Sequence, residues 1–219
     1  MKKSFIYLTG ILTLIAFMLS GKVAYTQGFR YSVQNMEQTA TNQLEFDVYL
    51  LDTDDSDAFE LASSQLGFLF NSLIYTGGTV TVTIDNSTSG LNSSQQFTSN
   101  PSVVTSLTGY PDQTLIRLAG RTPPGAGNGT IISTSGSGTL LTHFIVTSTV
   151  DFKANSTPDF EFCASTATNP LYPTRVSEYV DNTNTAWTVT PGDNAIVADN
   201  PVLNPPPTAF NVTGGGEYC

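Results

Sequence analysis

The sequence predicts an all-β protein, a two-sheet antiparallel sandwich of about nine strands. Three observations carry this. Apolar and polar residues alternate with a period of two in segment after segment. The connections are rich in Gly, Pro, Asn and Ser, the residues that make turns. No segment after the first two dozen residues sustains a helical period.

The chain begins with an address. Lys2 and Lys3 precede an apolar run over residues 5–19, and small or polar residues follow in "SGKVAYTQ". A charged start, a short apolar centre and a small-residue site describe a secretory signal peptide, here residues 1–26, with Ala24 at the −3 position. Thr9, Gly10 and Thr13 interrupt the run, which is short for a bilayer span. No membrane insertion is expected once it is cleaved.

Residues 27–200 read as the sandwich. A first strand is predicted over residues 29–34. In "NQLEFDVYLL", Leu44, Phe46, Val48 and Leu50 share one face, and Glu45, Asp47 and Tyr49 the other. One dry and one wet face is what a half-buried antiparallel strand needs. The acidic turn "DTDDSD" follows. Asp52, Asp54, Asp55 and Asp57 could offer calcium several carboxylate oxygens on one loop. The spacing is not that of an EF-hand, since its sixth and twelfth positions would be Asp57 and Ser63. Calcium is the one cofactor the sequence leaves open, against the plainer reading of an acidic turn.

"SQLGFLFN" places Leu66, Phe68 and Phe70 on one face, and "TVTVTID" does the same with Val80, Val82 and Ile84. The polar stretch "NSTSGLNSSQQFTSN" reads as a connection. Strands follow over residues 102–107 and 114–119. The glycine-rich "TPPGAGNGTIISTSGSGT" reads as mobile or wrapped over the surface. Residues 140–148 form a strand carrying His143, the only histidine. No G-x-S-x-G elbow accompanies it, and one histidine with two distant cysteines does not make a zinc set.

In "PDFEFCA", Phe160 and Phe162 face inward. Asp159 and Glu161 then share the wet face about 7 Å apart. Paired carboxylates at that spacing can hydrolyse glycosides, but a solvated face gives no contrast of pKa between them. A glycoside hydrolase accessory domain is therefore a distant alternative. Further strands are predicted over residues 175–180 and 185–190. Trp187, Tyr172 and Tyr179 are candidates for an aromatic platform that stacks on sugars, although Trp187 also suits a core strand. An exit strand precedes a proline-rich linker, residues 201–208. Residues 209–219, "AFNVTGGGEYC", read as the start of a following immunoglobulin-like or PKD-like repeat, which leaves the partner of Cys219 expected further along. Cys163 and Cys219 do not make a disulfide scaffold.

Charge narrows the partners. Removing residues 1–26 takes away three of eight basic residues and none of the 18 acidic ones, a net charge of −13. That excludes nucleic acid and anionic membrane surfaces as natural partners.

The order of these segments resembles the cohesin-like β-sandwich family. "NQLEFDVYLLD" looks like its early strand, and "SSQLGFLFNSLIYTGG" like the apolar strand before a loop. "GNGTIISTSGSGTLLTHFIVTS" is similar to its glycine-rich turn and the apolar strand after it. The chain also resembles the leading segment of long surface proteins exported by the type IX secretion system, on "ELASSQLGFLFNSLIYTGGTVTVTI", "YPTRVSEYV" and "PTAFNVTGGGEYC". The resemblance implies a jelly-roll sandwich at the head of an adhesin-like array. It implies no catalytic residue and carries no dockerin-binding residue onto this sequence. The expected function is a non-catalytic extracellular module for adhesion or scaffolding, with a protein or glycan ligand at the cell surface. Carbohydrate binding through exposed aromatics is the alternative.

Overall fold

The computed structural model describes residues 28–54, 57–105, 107–164 and 172–204. The predicted signal peptide (residues 1–26), Asp55 and residues 205–219, including Cys219, lie outside them. Twelve strands are present among the described residues: β1 (Phe29–Ala40), β2 (Gln43–Asp52), β3 (Glu60–Asn71), β4 (Val80–Asp85), β5 (Ser102–Val104), β6 (Gln113–Leu118), β7 (Thr130–Ile131), β8 (Thr139–Ser148), β9 (Glu161–Phe162), β10 (Arg175–Val180), β11 (Thr183–Trp187) and β12 (Ala195–Val197). The only helical element among the described residues is a 3-10 turn, Ser72–Tyr75.

The strands form two sheets. One runs β12-β1-β2-β8-β4, the other β11-β10-β3-β6-β5, with β7 and β9 also pairing β3. All pairings are antiparallel except β1 with β12, which is parallel. The alternation in the sequence reappears as burial. Leu44, Phe46, Val48 and Leu50 are fully buried, as are Leu66, Phe68 and Phe70. Between the sheets lies an aromatic stack. Phe46 and Phe144 face each other across β2 and β8 with centroids 4.9 Å apart. Phe68 of the other sheet meets both edge-on, at 5.8 and 5.5 Å. Such pairs add to the area they bury because ring edges and faces carry opposite partial charge.

Several bounds differ from the sequence reading, each for a local reason. β1 continues six residues further, past a bulge at Asn35 (φ 55°) that turns Met36 back into the core. β11 starts and ends earlier than predicted. Asp181 and Asn182 both take positive φ, 49° and 62°, and make a two-residue hairpin turn. The glycine-rich connection is pinned rather than loose. Thr130 donates through its backbone and hydroxyl to Gln95 Oε1, at 2.6 and 2.7 Å, and Ile132 is buried. The polar connection before it sends Leu91 and Phe97 into the core. Residues 201–204 lie against the sandwich, with Leu203 fully buried and its backbone bonded to Ser156 and Asn155.

Candidate functional site

The outer face of the five-stranded sheet carries an ordered polar array. Because β2 alternates, Glu45, Asp47 and Tyr49 point away from the core. The register sets Asp47 opposite His143 of β8 and Gln34 of β1, and sets Asp85 of β4 opposite His143. His143 Nδ1 lies 2.8 Å from Asp47 Oδ1 and its Nε2 lies 3.2 Å from Glu45 Oε2. Asp47 Oδ2 also accepts from Asn35 Nδ2 at 2.8 Å and from Tyr49 Oη at 3.3 Å. Glu45 Oε1 accepts from Thr39 Oγ1 and Gln43 Nε2, at 2.8 and 2.6 Å. The bulge at Asn35 is what brings that side chain over β2.

Both ring nitrogens of His143 face carboxylates, an arrangement that favours the imidazolium, the form in which both carry hydrogen. Partial burial pushes its pKa down, but the hydrogen bonds and charges of Asp47 and Glu45 outweigh this and hold it above the ordinary value. The Thr39 hydrogen bond leads the causes that hold Glu45 below the usual carboxylate range. An imidazolium engaged at both nitrogens offers no lone pair to a substrate. The arrangement is suited to holding shape and charge, not to proton abstraction.

The acidic turn is built around Asp52. Its side chain is buried, accepting from Asp54 N at 3.0 Å and from Phe59 N at 3.2 Å, so its carboxylate closes the loop. Asp57 is exposed and Asp55 lies outside the described residues. A further acid faces this corner, which the alternation in "RVSEYV" does not single out. Glu178 is buried and accepts from Trp187 Nε1 at 2.9 Å. Burial first, then the negative charges of Asp52, Asp57 and Asp54, push its carboxyl up to about 7. Among the described residues, no three acidic, His or Cys side chains are arranged to hold a metal ion.

The three aromatic candidates are not one platform. The register pairs Trp187 with Val176 and Asn184 with Tyr179. Trp187 thus lies on the core side of β10–β11 and Tyr179 on the other. Tyr179 Oη accepts from Gly125 N at 2.7 Å, tying down the glycine-rich connection. Tyr172 lies under Arg117, whose guanidinium carbon is 4.6 Å from the ring centroid.

Asp159 and Glu161 do not share a strand face as the sequence suggested. β9 holds only Glu161 and Phe162, and Asp159 sits outside it in a left-handed conformation (φ 47°). Cys163 is a free, buried thiol pushed up to about 12 by burial and by the Glu161 charge. Arg117 and Arg121, which no local sequence pattern marks, line a cleft beside Tyr172. Their one signal was scarcity, since only five basic residues follow position 27.

No protein-family profile matches the chain, and no curated protein matches it in sequence. Among solved structures it is similar to type II cohesin modules of Acetivibrio cellulolyticus. A chain of a type II cohesin–X-dockerin complex matches at 9% identity and a TM-score of 0.37, over 79% of this chain and 98% of that one. The second type II cohesin module of the adaptor scaffoldin ScaA, with its long C-terminal linker, matches at 10% and 0.36, over 86% and 96%. Another structure of that second module matches at 9% and 0.35, over 84% and 100%.

Proposed function

We propose that this chain is a non-catalytic, exported recognition module. It docks a protein partner on the polar outer face of the five-stranded sheet. The observation that carries this reading is the Asn35–Asp47–His143–Glu45–Thr39 network. Its side chains are already fixed by one another across three adjacent strands. A surface ordered before contact loses little side-chain entropy on binding. Acidic groups around one cation favour a partner with basic and hydrogen-bonding groups over an anionic one. The leader-like start supports export. In this reading the module heads a larger, adhesin-like surface protein delivered by type IX secretion. Among the described residues no helix is long and apolar enough to cross a membrane.

The test is an array of extracellular-matrix and cell-surface proteins probed with the chain and with a Glu45→Ala/Asp47→Ala/His143→Ala variant. Selective retention on one or a few proteins, lost in the folded variant, supports the reading. Retention unchanged in the variant, or retention on none, contradicts it.

Sugar binding is favoured by a separate observation, the arginine-lined cleft beside Tyr172 on the other sheet.

A further inference from the structure

The cleft of about 260 Å³ at the β5–β6 margin of the second sheet is lined by Arg117, Arg121, Tyr172, Ser99, Asn100 and Ser102, among others. It is small against the ~300–1,000 Å³ of drug-sized pockets, which leaves room for about one ring-sized residue. Its charge is unusual for this molecule. The chain has 18 acidic and eight basic residues, yet no arginine forms an ion pair with a carboxylate among the described residues. Three of the five basic residues after position 27 gather on this side. Arg117 and Arg121 line the cleft, and Arg175 is near enough for its charge to act on the Tyr172 phenol. What sets Arg117 and Arg121 apart from the equally unpaired Arg30 is that they share one cleft, where their donors are open to a bound anion.

The backbone is shaped to hold one of them in place. Arg117 lies opposite Gly67 of β3 and Ser102 of β5. A Cβ on Gly67 would sit 2.0 Å from the Tyr172 carbonyl oxygen, so only glycine lets that segment lie down on β3. The Tyr172 ring then supports the Arg117 guanidinium from below. A stacked guanidinium is restricted in orientation and presents its fork of donors to planar acids.

We propose that this cleft binds an anionic sugar residue, its carboxylate or sulfate held by Arg117 and Arg121 and its hydroxyls by the Ser and Asn wall. The wall is mixed, with Leu118 and Ala119 beside the polar side chains, and it is those polar side chains that favour a sugar over a peptide. Ser99, Asn100 and Ser102 offer hydrogen bonds, whereas protein-binding hot spots centre on buried aromatic or apolar anchors. The assignment does not depend on protein docking at the other sheet.

The test is calorimetric titration of the chain with trigalacturonate, a sulfated galactotriose, neutral galactotriose and hexaglutamate, at low and high salt. Variants Arg117→Gln, Arg121→Gln, Arg117→Lys and Arg30→Gln are titrated alongside, each checked for fold by circular dichroism. One or both acidic trisaccharides bind at least about tenfold more tightly than the neutral one, and added salt weakens them. Arg117→Gln and Arg121→Gln each lose about tenfold or more, Arg117→Lys loses less, and Arg30→Gln binds as the parent does. Equal binding of neutral and acidic sugars would overturn the assignment. So would binding of hexaglutamate alone, no binding of either acidic sugar, or unchanged affinity in folded Arg117→Gln and Arg121→Gln.

Discussion

Tyr31 Oη and Ser64 Oγ lie 2.7 Å apart in the interior, joining β1 of one sheet to β3 of the other by a hydrogen bond. Tyr31 Oη also donates to the Arg175 carbonyl at 3.3 Å, so the bond runs on into β10. Both side chains are buried, away from bulk solvent. Tyr31→Phe removes the hydroxyl and leaves Ser64 without this buried partner. That is expected to cost about 1–3 kcal/mol. The double variant with Ser64→Ala should recover part of the loss, because it removes the stranded group as well. Urea melts of the four proteins give the coupling. Strictly additive losses would mean the bond does not join the sheets.

Gly67→Ala should be poorly tolerated although it adds one methyl group. The new Cβ meets backbone, the Tyr172 carbonyl, which cannot swing aside as a side chain would. A loss of about 2–3 kcal/mol is expected, as for overpacking of a close contact. It should come with loosening of the segment that Thr174 holds to Gly67. Hydrogen exchange over residues 172–176 measures the loosening.

Glu178 predicts a pH dependence of stability. Its pKa is raised in the fold, to about 7, from an ordinary 4.5. The folded chain therefore binds more protons than the unfolded one between those values. Stability falls as pH rises from about 4.5 to about 7 and stays lower above. Glu178→Gln keeps an acceptor for Trp187 Nε1 and removes the charge. At pH 8 it should be more stable than the parent by on the order of 2 kcal/mol, with the difference vanishing near pH 4. Thermal melts across that range check the sign.

Cys163 should be silent to alkylation in the native protein. It is buried, and a pKa of about 12 leaves almost no thiolate at pH 8. Mass spectrometry after iodoacetamide should find Cys163 unmodified until denaturant is added. Rapid native labelling would show that the β9 region opens.

The sandwich was legible because burial on one face forces alternation, and β2, β3 and β4 write it plainly. The short strands were not. β7 and β9 hold two residues each, too few to show a period, and their place is set by pairing to β3. The parallel partnership of β1 and β12 depends on where the chain returns, which no local pattern encodes. The site was legible in part. Glu45 and Asp47 could be assigned to a wet face and His143 to a strand, but their meeting depends on the β2–β8 register. Glu178 and Arg117 stayed hidden because their character comes from neighbours remote in sequence, the acidic turn for one and Tyr172 for the other.

The most direct test of the ordered polar face is the titration of His143 by nitrogen-15 and proton NMR. It is the only histidine, so its signals are unambiguous. With its folded pKa raised, the stability it contributes is complete below about 6.5 and is lost as pH rises through the folded value. A pKa above 6.5, with the shift abolished in Asp47→Asn/Glu45→Gln, is the result expected. A pKa at or below 6.5, or a ring that titrates as if free in water, would show that the face is not pre-ordered and would remove the ground for recognition there.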